Sequence, residues 1–479
     1  MLKRSAVFSA FIILLFSSSL GKERSMLTLE ESLNIALERS HDIKLMEQNL
    51  IRDQERVKAE RAALKSNAHM HLYTPSFNTA YEEVYDSEED IFRYEYTQKN
   101  KVMSKVVVNQ PIPTNGNFSF NYDFFHETQL GDIKNYSNNF YLKFEQPIFT
   151  PNVLNMRIRR AELSLKETEL DYTSRKVQIE YRITRSYYNL FRYFAQLEIN
   201  NKRLELLEKS YDIAETLNSR GIIDEMELLQ IEVELADSRD EILETEGRLT
   251  RSKDSFKQTI GLPKSEDIVI EPVLEYKPIQ LADEIKEKTI ELGMQNSTRI
   301  KDGEIRKEFR TLDVIDADRL NEFKGSIVTT VGLDKKDSVF TETLKKPDQT
   351  RSVSLNFYLP LWDWGRNKAQ VRSAQASLKY AETSLSENRR TVKRWLEDEL
   401  RDLEDANIRL EILSKSKKLA DKSYALGIEK FKNGQINSQS LILVIEQLIN
   451  SNKSFLSAYI DFQYAKAGLK RLINGAPAY

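Results

Sequence analysis

Two short stretches decide how this chain reads: LNSRGIIDEMEL, from Leu217 to Leu228, and FKNGQINSQSL, from Phe431 to Leu441. Each holds one glycine, Gly221 and Gly434, and the two lie 213 residues apart. Each sits inside a proline-free run, of 111 residues from Asn152 to Leu262 and of 115 from Leu361 to Gly475. Both runs are rich in Glu, Lys, Arg, Leu and Ala, which favour helix. An unbroken helix of the shorter run would reach roughly 165 Å at 1.5 Å per residue. Glycine accepts left-handed backbone angles, so at a pause in the apolar pattern it ends one helix and lets the chain reverse. Each run therefore reads as a helical hairpin with its tip just past the glycine.

Outward from the glycines, the offset of 213 persists. Phe144, Pro147, Ala161 and Leu165 fall on Phe357, Pro360, Ala374 and Leu378, and Ser210–Tyr211 on Ser423–Tyr424. Leu228, Leu235, Ile242, Leu249 and Phe256 recur every seven residues, as do Leu441, Leu448, Phe455, Phe462 and Leu469 in the same phase. Leu190, Leu197, Leu204 and Tyr211 continue the series in the first copy. Leu403, Leu410 and Tyr424 continue it in the second, where Lys417 breaks it. Sustained heptads mean coiled-coil packing. An earlier block repeats at an offset of 257, SHDIK at Ser40 on STRIK at Ser297, so the first copy carries about 44 additional residues. The chain is a duplication. A capping box, Thr28 with Glu31, opens the first copy. The helix following it, roughly Asp42 to Lys65, has the length to extend the short return limb beside the long one.

Between the helices the period changes to two. Phe118, Phe120, Tyr122 and Phe124 alternate with Asn117, Ser119, Asn121 and Asp123. Phe140, Leu142 and Phe144 alternate with polar neighbours, as do Val353, Leu355, Phe357 and Leu359. Such strands suit a half-buried soluble sheet or a lipid-facing wall around a wet lumen. Aromatics at the strand ends, Tyr358, Trp362 and Trp364, suit a membrane interface. Each copy has too few strands to close a barrel, and open edges are excluded from lipid, so several chains would pool strands. Glu82, Glu83, Asp86, Glu88, Glu89 and Asp90 are expected in an exposed loop.

Bulk composition narrows the classes. The formal net charge is −3 and 30 % of residues are charged, so no basic surface points to nucleic acid. With no cysteine, disulfides, thiolate metal sites, a cysteine nucleophile and a lipid anchor on cysteine are all excluded. Mean hydropathy is −0.53, leaving no room for a bundle of apolar helices. The start, MLKRSAVFSAFIILLFSSSLG, with Lys3 and Arg4 before an apolar run, reads as a secretory signal peptide ending near Gly21. The expected division is a signal peptide over 1–21, a first repeat over 22–262, a linker over 263–280 and a second repeat over 281–479. Helices are expected over about 28–65, 152–220 and 222–262, then 281–320, 364–433 and 437–474, with strands within about 66–148 and 323–361.

This duplicated order resembles the TolC-like outer-membrane factors, the outer membrane efflux protein family. The resemblance rests on LTLEESLNIALERSHDIK, the QPIF and LPLWDWG strand-to-helix junctions, the SYDIAETLNSRG and SYALGIEKFKNG approaches, and the TIGLP and RLING ends. It implies a mainly α fold with a membrane β-barrel. Duplicated hairpins form a long coiled-coil α-barrel tunnel, and a homotrimer pools the barrel strands in outer-membrane lipid. It implies an exit duct of a tripartite efflux or type I secretion system, docked to a periplasmic adaptor and an inner-membrane pump. Four strands per chain would give the family's 12-stranded barrel; two more, from the stretch around Ser104 to Phe125 with QPIPTNG as its turn, would give 18. The competing reading is a periplasmic coiled-coil scaffold or adaptor.

No catalytic constellation, cofactor loop or metal set stands out. His69 and His71 share a strand face without a third ligand nearby. Candidate functional positions are the hairpin tips. Some relatives place an acidic ring six residues after the second-repeat glycine, which here is Ser440; the matching first-repeat position is Glu227. Asp224 and Glu225 add acidity, and pointing inward these would favour cations.

Overall fold

The computed structural model of the protein describes residues 25–86, 90–129, 133–319 and 323–474. The expected signal peptide over 1–21 lies outside them. After β1 (Ser25–Met26) come α1 (Leu29–Arg39) and α2 (His41–Ala62). Four strands follow: β2 (Asn67–Asp86), β3 (Ile91–Pro111), β4 (Asn117–Gln129) and β5 (Ile133–Ile148). Then come α3 (Val153–Ser219), α4 (Glu225–Ile260) and β6 (Ile268–Val269). The order recurs with fewer strands: α5 (Asp283–Asn296), α6 (Thr298–Arg319), β7 (Lys324–Asp337), β8 (Asp348–Tyr358), α7 (Arg366–Lys432) and α8 (Ser438–Leu472).

The duplication holds to the residue. Helices α3 and α7 are each 67 residues long, and both their first and last residues differ by 213. Helices α2 and α6 are each 22 residues long, displaced by 257 at both ends. Among the described residues no helix is long and apolar enough to cross a membrane.

Two compact units cut across the copies, each drawing on both. The first takes the described residues up to His41, together with 176–287 and those from 397 onward. Here the heptads form the core: Leu235, Leu249 and Phe256 on α4, and Leu441, Leu448, Phe455, Phe462 and Leu469 on α8, are all buried. Leu190 on α3 and Leu403 and Leu410 on α7 are buried with no exposure at all. Where the series breaks, the Lys417 ammonium lies 5.4 Å from the Phe455 ring centre, so the charge is held over a π face. The capping box forms as read: Glu31 N–H donates to Thr28 Oγ1 at 3.2 Å and Thr28 N–H to Glu31 Oε2 at 2.9 Å. Within the span read as linker, β6 pairs in parallel with β1, Ser25 opposite Ile268.

The second unit takes 42–175 and 288–396. Its sheet has six strands in the order β2-β3-β4-β5-β7-β8, every pair antiparallel. Phe118 lies opposite Phe144, Phe120 opposite Leu142 and Tyr122 opposite Phe140. Phe144 lies opposite Thr329, which lies opposite Val353, so the alternating apolar residues share one face. The other face is polar and ion-paired: Lys101 to Glu127 at 3.1 Å, Lys105 to Asp123 at 3.6 Å, Lys143 to Glu145 at 2.8 Å. Among the described residues the sheet has six strands, where the sequence left four or six open.

The structure corrects one expectation. Glu82, Glu83 and Asp86 do not sit in a loop but in β2, paired with Glu95, Tyr94 and Ile91 of β3, with Asp90 at the turn. Glu88 and Glu89 lie outside the described residues. The strand survives its acidic sequence because Lys99 pairs with Glu82 across the ladder, and because the opposite face carries Phe77, Tyr81 and Tyr85 against Phe92, Tyr94 and Tyr96.

Helix α2 packs on α3 through a buried polar joint. The Asp53 carboxylate, only 2 % exposed, accepts from Arg52 at 3.1 Å and from Thr168 Oγ1 at 2.6 Å. The Arg52 hydrogen bond holds the carboxyl below its ordinary range against the opposing effect of burial, and Thr168 adds to it. A depressed folded pKa gives stability that is present above the unfolded value of about 3.9 and lost as pH falls through the folded one. Melting profiles of wild type and Asp53→Asn are therefore expected to differ at pH 7 and to converge below about pH 4. A constant difference down to pH 3 would remove this charge from the joint.

Candidate functional site

The hairpin tips belong to the first unit, and the same hydrogen bonds build both. Gly221 has φ +72° and Gly434 φ +66°, the left-handed region. Gly221 N–H donates to the Asn218 carbonyl at 2.8 Å, and Ile222 N–H to that of Leu217 at 2.9 Å. In the second copy Gly434 N–H donates to Phe431 and Gln435 N–H to Lys430, both at 2.9 Å. This paired pattern is how a helix ends on a left-handed residue and satisfies its last carbonyls. The return helices start alike. Asp224 accepts from Glu227 N–H at 2.9 Å and Asn437 from Ser440 N–H at 3.0 Å. Each is an N-cap.

From there the tips differ, and the difference joins them. Glu227, at the position where a capping box would reach back to its own N-cap, reaches across to the other hairpin. Its Oε2 accepts from Ser438 N–H at 2.8 Å and from Ser438 Oγ at 3.0 Å. Ser438 is fully buried and opens α8, so a carboxylate sits where the helix's unpaired N–H groups favour negative charge. A Cβ on Gly434 would come within 3.2 Å of Ile222 Cγ2, so the two turns touch. Behind them a core draws on all four limbs, among them Leu207, Leu217, Ile231, Phe431, Leu441 and Ile445. Further along, Arg203 pairs with Glu234 at 2.7 Å and Glu241 at 3.1 Å, and Lys453 of α8 also bonds Glu241. Burial works against the charge on Glu241, but Lys453 and Arg203 together hold its carboxyl low.

Of the six tip residues named from sequence, Gly221, Asp224, Gly434 and Ser440 are thus spent on turns and caps. Glu227 is the contact between hairpins. Glu225 remains exposed, the acid of this tip with no structural duty in the described contacts. Sequence reasoning missed Ser438, Asn437 and Ile222. Asn437 was recoverable as the counterpart of Asp224 at offset 213, but Ser438 was not, since its partner lies 211 residues away.

The second candidate group lies in the other unit, at the end of β8 and just past it. Tyr358, Trp362 and Trp364 are all exposed, with the two indoles 4.8 Å apart. Trp364 and Gly365 have successive left-handed angles, φ +54° and +80°. Asp363 stabilises that bend, accepting from Gly365 N–H at 2.9 Å and from Asn367 N–H at 2.8 Å as α7 begins. On β2 the His69 and His71 rings lie 5.0 Å apart. Among the described residues no group of three potential ligands could hold a metal.

Comparison with known proteins places this geometry. The family described as outer membrane efflux protein matches residues 115–262 and 326–475, one match per copy. No curated protein sequence matches the chain. Among solved structures, the outer membrane protein VceC of Vibrio cholerae superposes with a TM-score of 0.67 at 13 % identity, covering 93 % of this chain and 96 % of its own. The CmeC outer membrane channel of Campylobacter jejuni gives 0.63 at 14 %, covering 99 % and 94 %. The open state of the MtrE outer membrane channel of Neisseria gonorrhoeae gives 0.61 at 13 %, covering 93 % and 89 %. These likenesses show a shared fold, the helical tunnel and β-barrel architecture of outer-membrane channels. Outer-membrane location and an efflux duct rather than an enzyme follow from the family match, which spans most of both copies: the chain belongs to the outer membrane efflux protein family.

Proposed function

We propose that the protein is the exit duct of a tripartite efflux or type I secretion system. As a homotrimer it would receive substrates from a periplasmic adaptor and an inner-membrane pump. The observation that carries this reading is the pair of matched hairpin tips held together by Glu227 and Ser438. Two turns built alike and packed as neighbours are suited to ring a mouth once several chains assemble. The sheet supports it from the other unit. One face exposes Phe118, Leu142, Val353, Leu355 and Phe357, while the other is lined by ion pairs. A scaffold in water would leave that apolar face uncovered, whereas a barrel wall gives it to lipid. Tyr358, Trp362 and Trp364 then serve as interface aromatics.

The purified protein in a planar bilayer tests this. Discrete, long-lived conductance steps are expected. Silence that persists after the tips are loosened, together with release from membranes by carbonate, would favour the periplasmic scaffold. In a conducting channel Glu227→Gln is expected to move the reversal potential across a salt gradient toward zero. The amide oxygen still accepts from Ser438, while one negative charge per chain is removed from the mouth. An unchanged reversal potential would take Glu227 out of the selectivity mechanism and leave Glu225 as the acid to test.

A further inference from the structure

Among the described residues each chain contributes six strands to this sheet, and the two at the ends of the order, β2 and β8, have one partner each. We infer that β2 of one copy pairs with β8 of a second copy of this chain, so that three copies close an eighteen-stranded barrel rather than the twelve-stranded one of the resemblance. The inference rests on the trimeric duct proposed above and fixes how its wall closes.

Four observations lead there. First, the edge of β4 is already taken. Its ladder with β3 runs from Lys99–Gln129 to Pro111–Asn117, as long as its ladder with β5 on the other side. A twelve-stranded barrel built from β4, β5, β7 and β8 would have to break that ladder, because β4 would be the seam. Second, ion pairing crosses the same joint. Lys101 reaches Glu127, and Lys105 reaches both Asp123 and the Tyr141 hydroxyl, tying β3, β4 and β5 together on the polar face.

Third, the β2–β3 hairpin is patterned as barrel wall. By register, Val106 and Val108 share a face with Tyr122 and Phe120, and Met70 and Ala68 lie opposite them on β2. His69, His71 and Lys105 fall on the polar face. A hairpin lying outside the wall would have no reason to continue that alternation. Fourth, the strand number is even. Up-and-down order makes β2 and β8 antiparallel in sequence of direction, so joining them between copies gives a barrel with no parallel seam. Both edges carry apolar residues on the lipid side, Met70 and Leu72 on one and Val353, Leu355 and Phe357 on the other. Unpaired backbone at these edges is excluded from hydrocarbon. Barrel diameter grows roughly linearly with strand number, so the lumen would be about half as wide again as a twelve-stranded one.

The absence of cysteine from the sequence makes the test direct, because the only thiols are the two introduced. Polar-face positions on β8 (Ser352, Ser354, Asn356) are paired one at a time with positions on β2 (His69, His71) or on β4 (Ser119, Asn121), each pair replaced by cysteine. The variants are oxidised in native outer membranes and read on denaturing gels. Crosslinked oligomers from the β2–β8 set, and none from the β4–β8 set, are expected. Crosslinks from the β4–β8 set alone would overturn the inference and place the β2–β3 hairpin outside a twelve-stranded wall. If neither set crosslinks, an electron-microscopic strand count of the unmodified assembly decides: eighteen supports the inference and twelve overturns it. A protein that sediments as a monomer overturns both the inference and the trimeric duct, an outcome distinct from a twelve-stranded trimer.

Discussion

Phe431→Ala is expected to destabilise the paired tips by about 3–5 kcal/mol, the usual cost of deleting a buried aromatic side chain from a core. Phe431 is fully buried in the last turn of α7, among the few residues that all four limbs of the two hairpins share. Its carbonyl also receives the Gly434 N–H that ends the helix, so the cavity would open beside the turn itself. Local opening rather than global unfolding should follow, since the remaining heptads of α7 and α8 are untouched. A loss of that size multiplies the opened fraction by roughly two to four orders of magnitude. Limited trypsin digestion at Lys430 and Lys432, beside the cavity, would report it directly. Leu426→Ala, on the same helix but 62 % exposed, is the control and should digest like wild type. Equal digestion of all three proteins would mean that Phe431 does not hold the tip.

The helices were legible in the sequence because their cause is local. Heptad spacing, the proline-free runs and the two glycines each act within a few residues, and the duplication stated every signal twice. The apolar and polar faces of β4, β5 and β8 were legible for the same reason. The outer part of the β2–β3 hairpin was not. Glu82, Glu83 and Asp86 weigh against strand, while Phe92, Tyr94 and Tyr96 alternate with charged and polar residues as a strand should. Cross-strand pairing with Lys99 and the aromatic face decided the matter, and no single-strand reading contains it. Glu227 shows the same limit at the candidate site. The spacing from Asp224 to Glu227 resembles that from Thr28 to Glu31, where the glutamate does fold back on its own cap. Only the approach of the second hairpin offers Glu227 a better donor, the buried start of α8.

That choice makes Glu227→Ala the sharper test of the mouth. Removing the carboxylate strands a fully buried hydroxyl, Ser438 Oγ, along with the N–H beside it. A buried donor left without its acceptor costs about 1–3 kcal/mol. The loss falls on the state in which the tips touch, because Ser438 can find water once they part. The ratio of parted to touching tips is then expected to rise about 5- to 150-fold per chain. Several such contacts around one mouth would compound. In a planar bilayer Glu227→Ala should show larger or more frequent openings than wild type. Glu227→Gln, which keeps an oxygen for Ser438, should change selectivity with little change in opening. Glu227→Ala combined with Ser438→Ala removes the donor hydroxyl with its acceptor, and should fall part of the way back toward wild type, because the stranded hydroxyl has gone while the backbone N–H of residue 438 stays without its acceptor. Identical openings in all of these proteins would mean that the contact between hairpins does not gate the duct. A change in Glu227→Gln as large as in Glu227→Ala would assign the effect to charge at the mouth rather than to the hydrogen bonds that hold it closed.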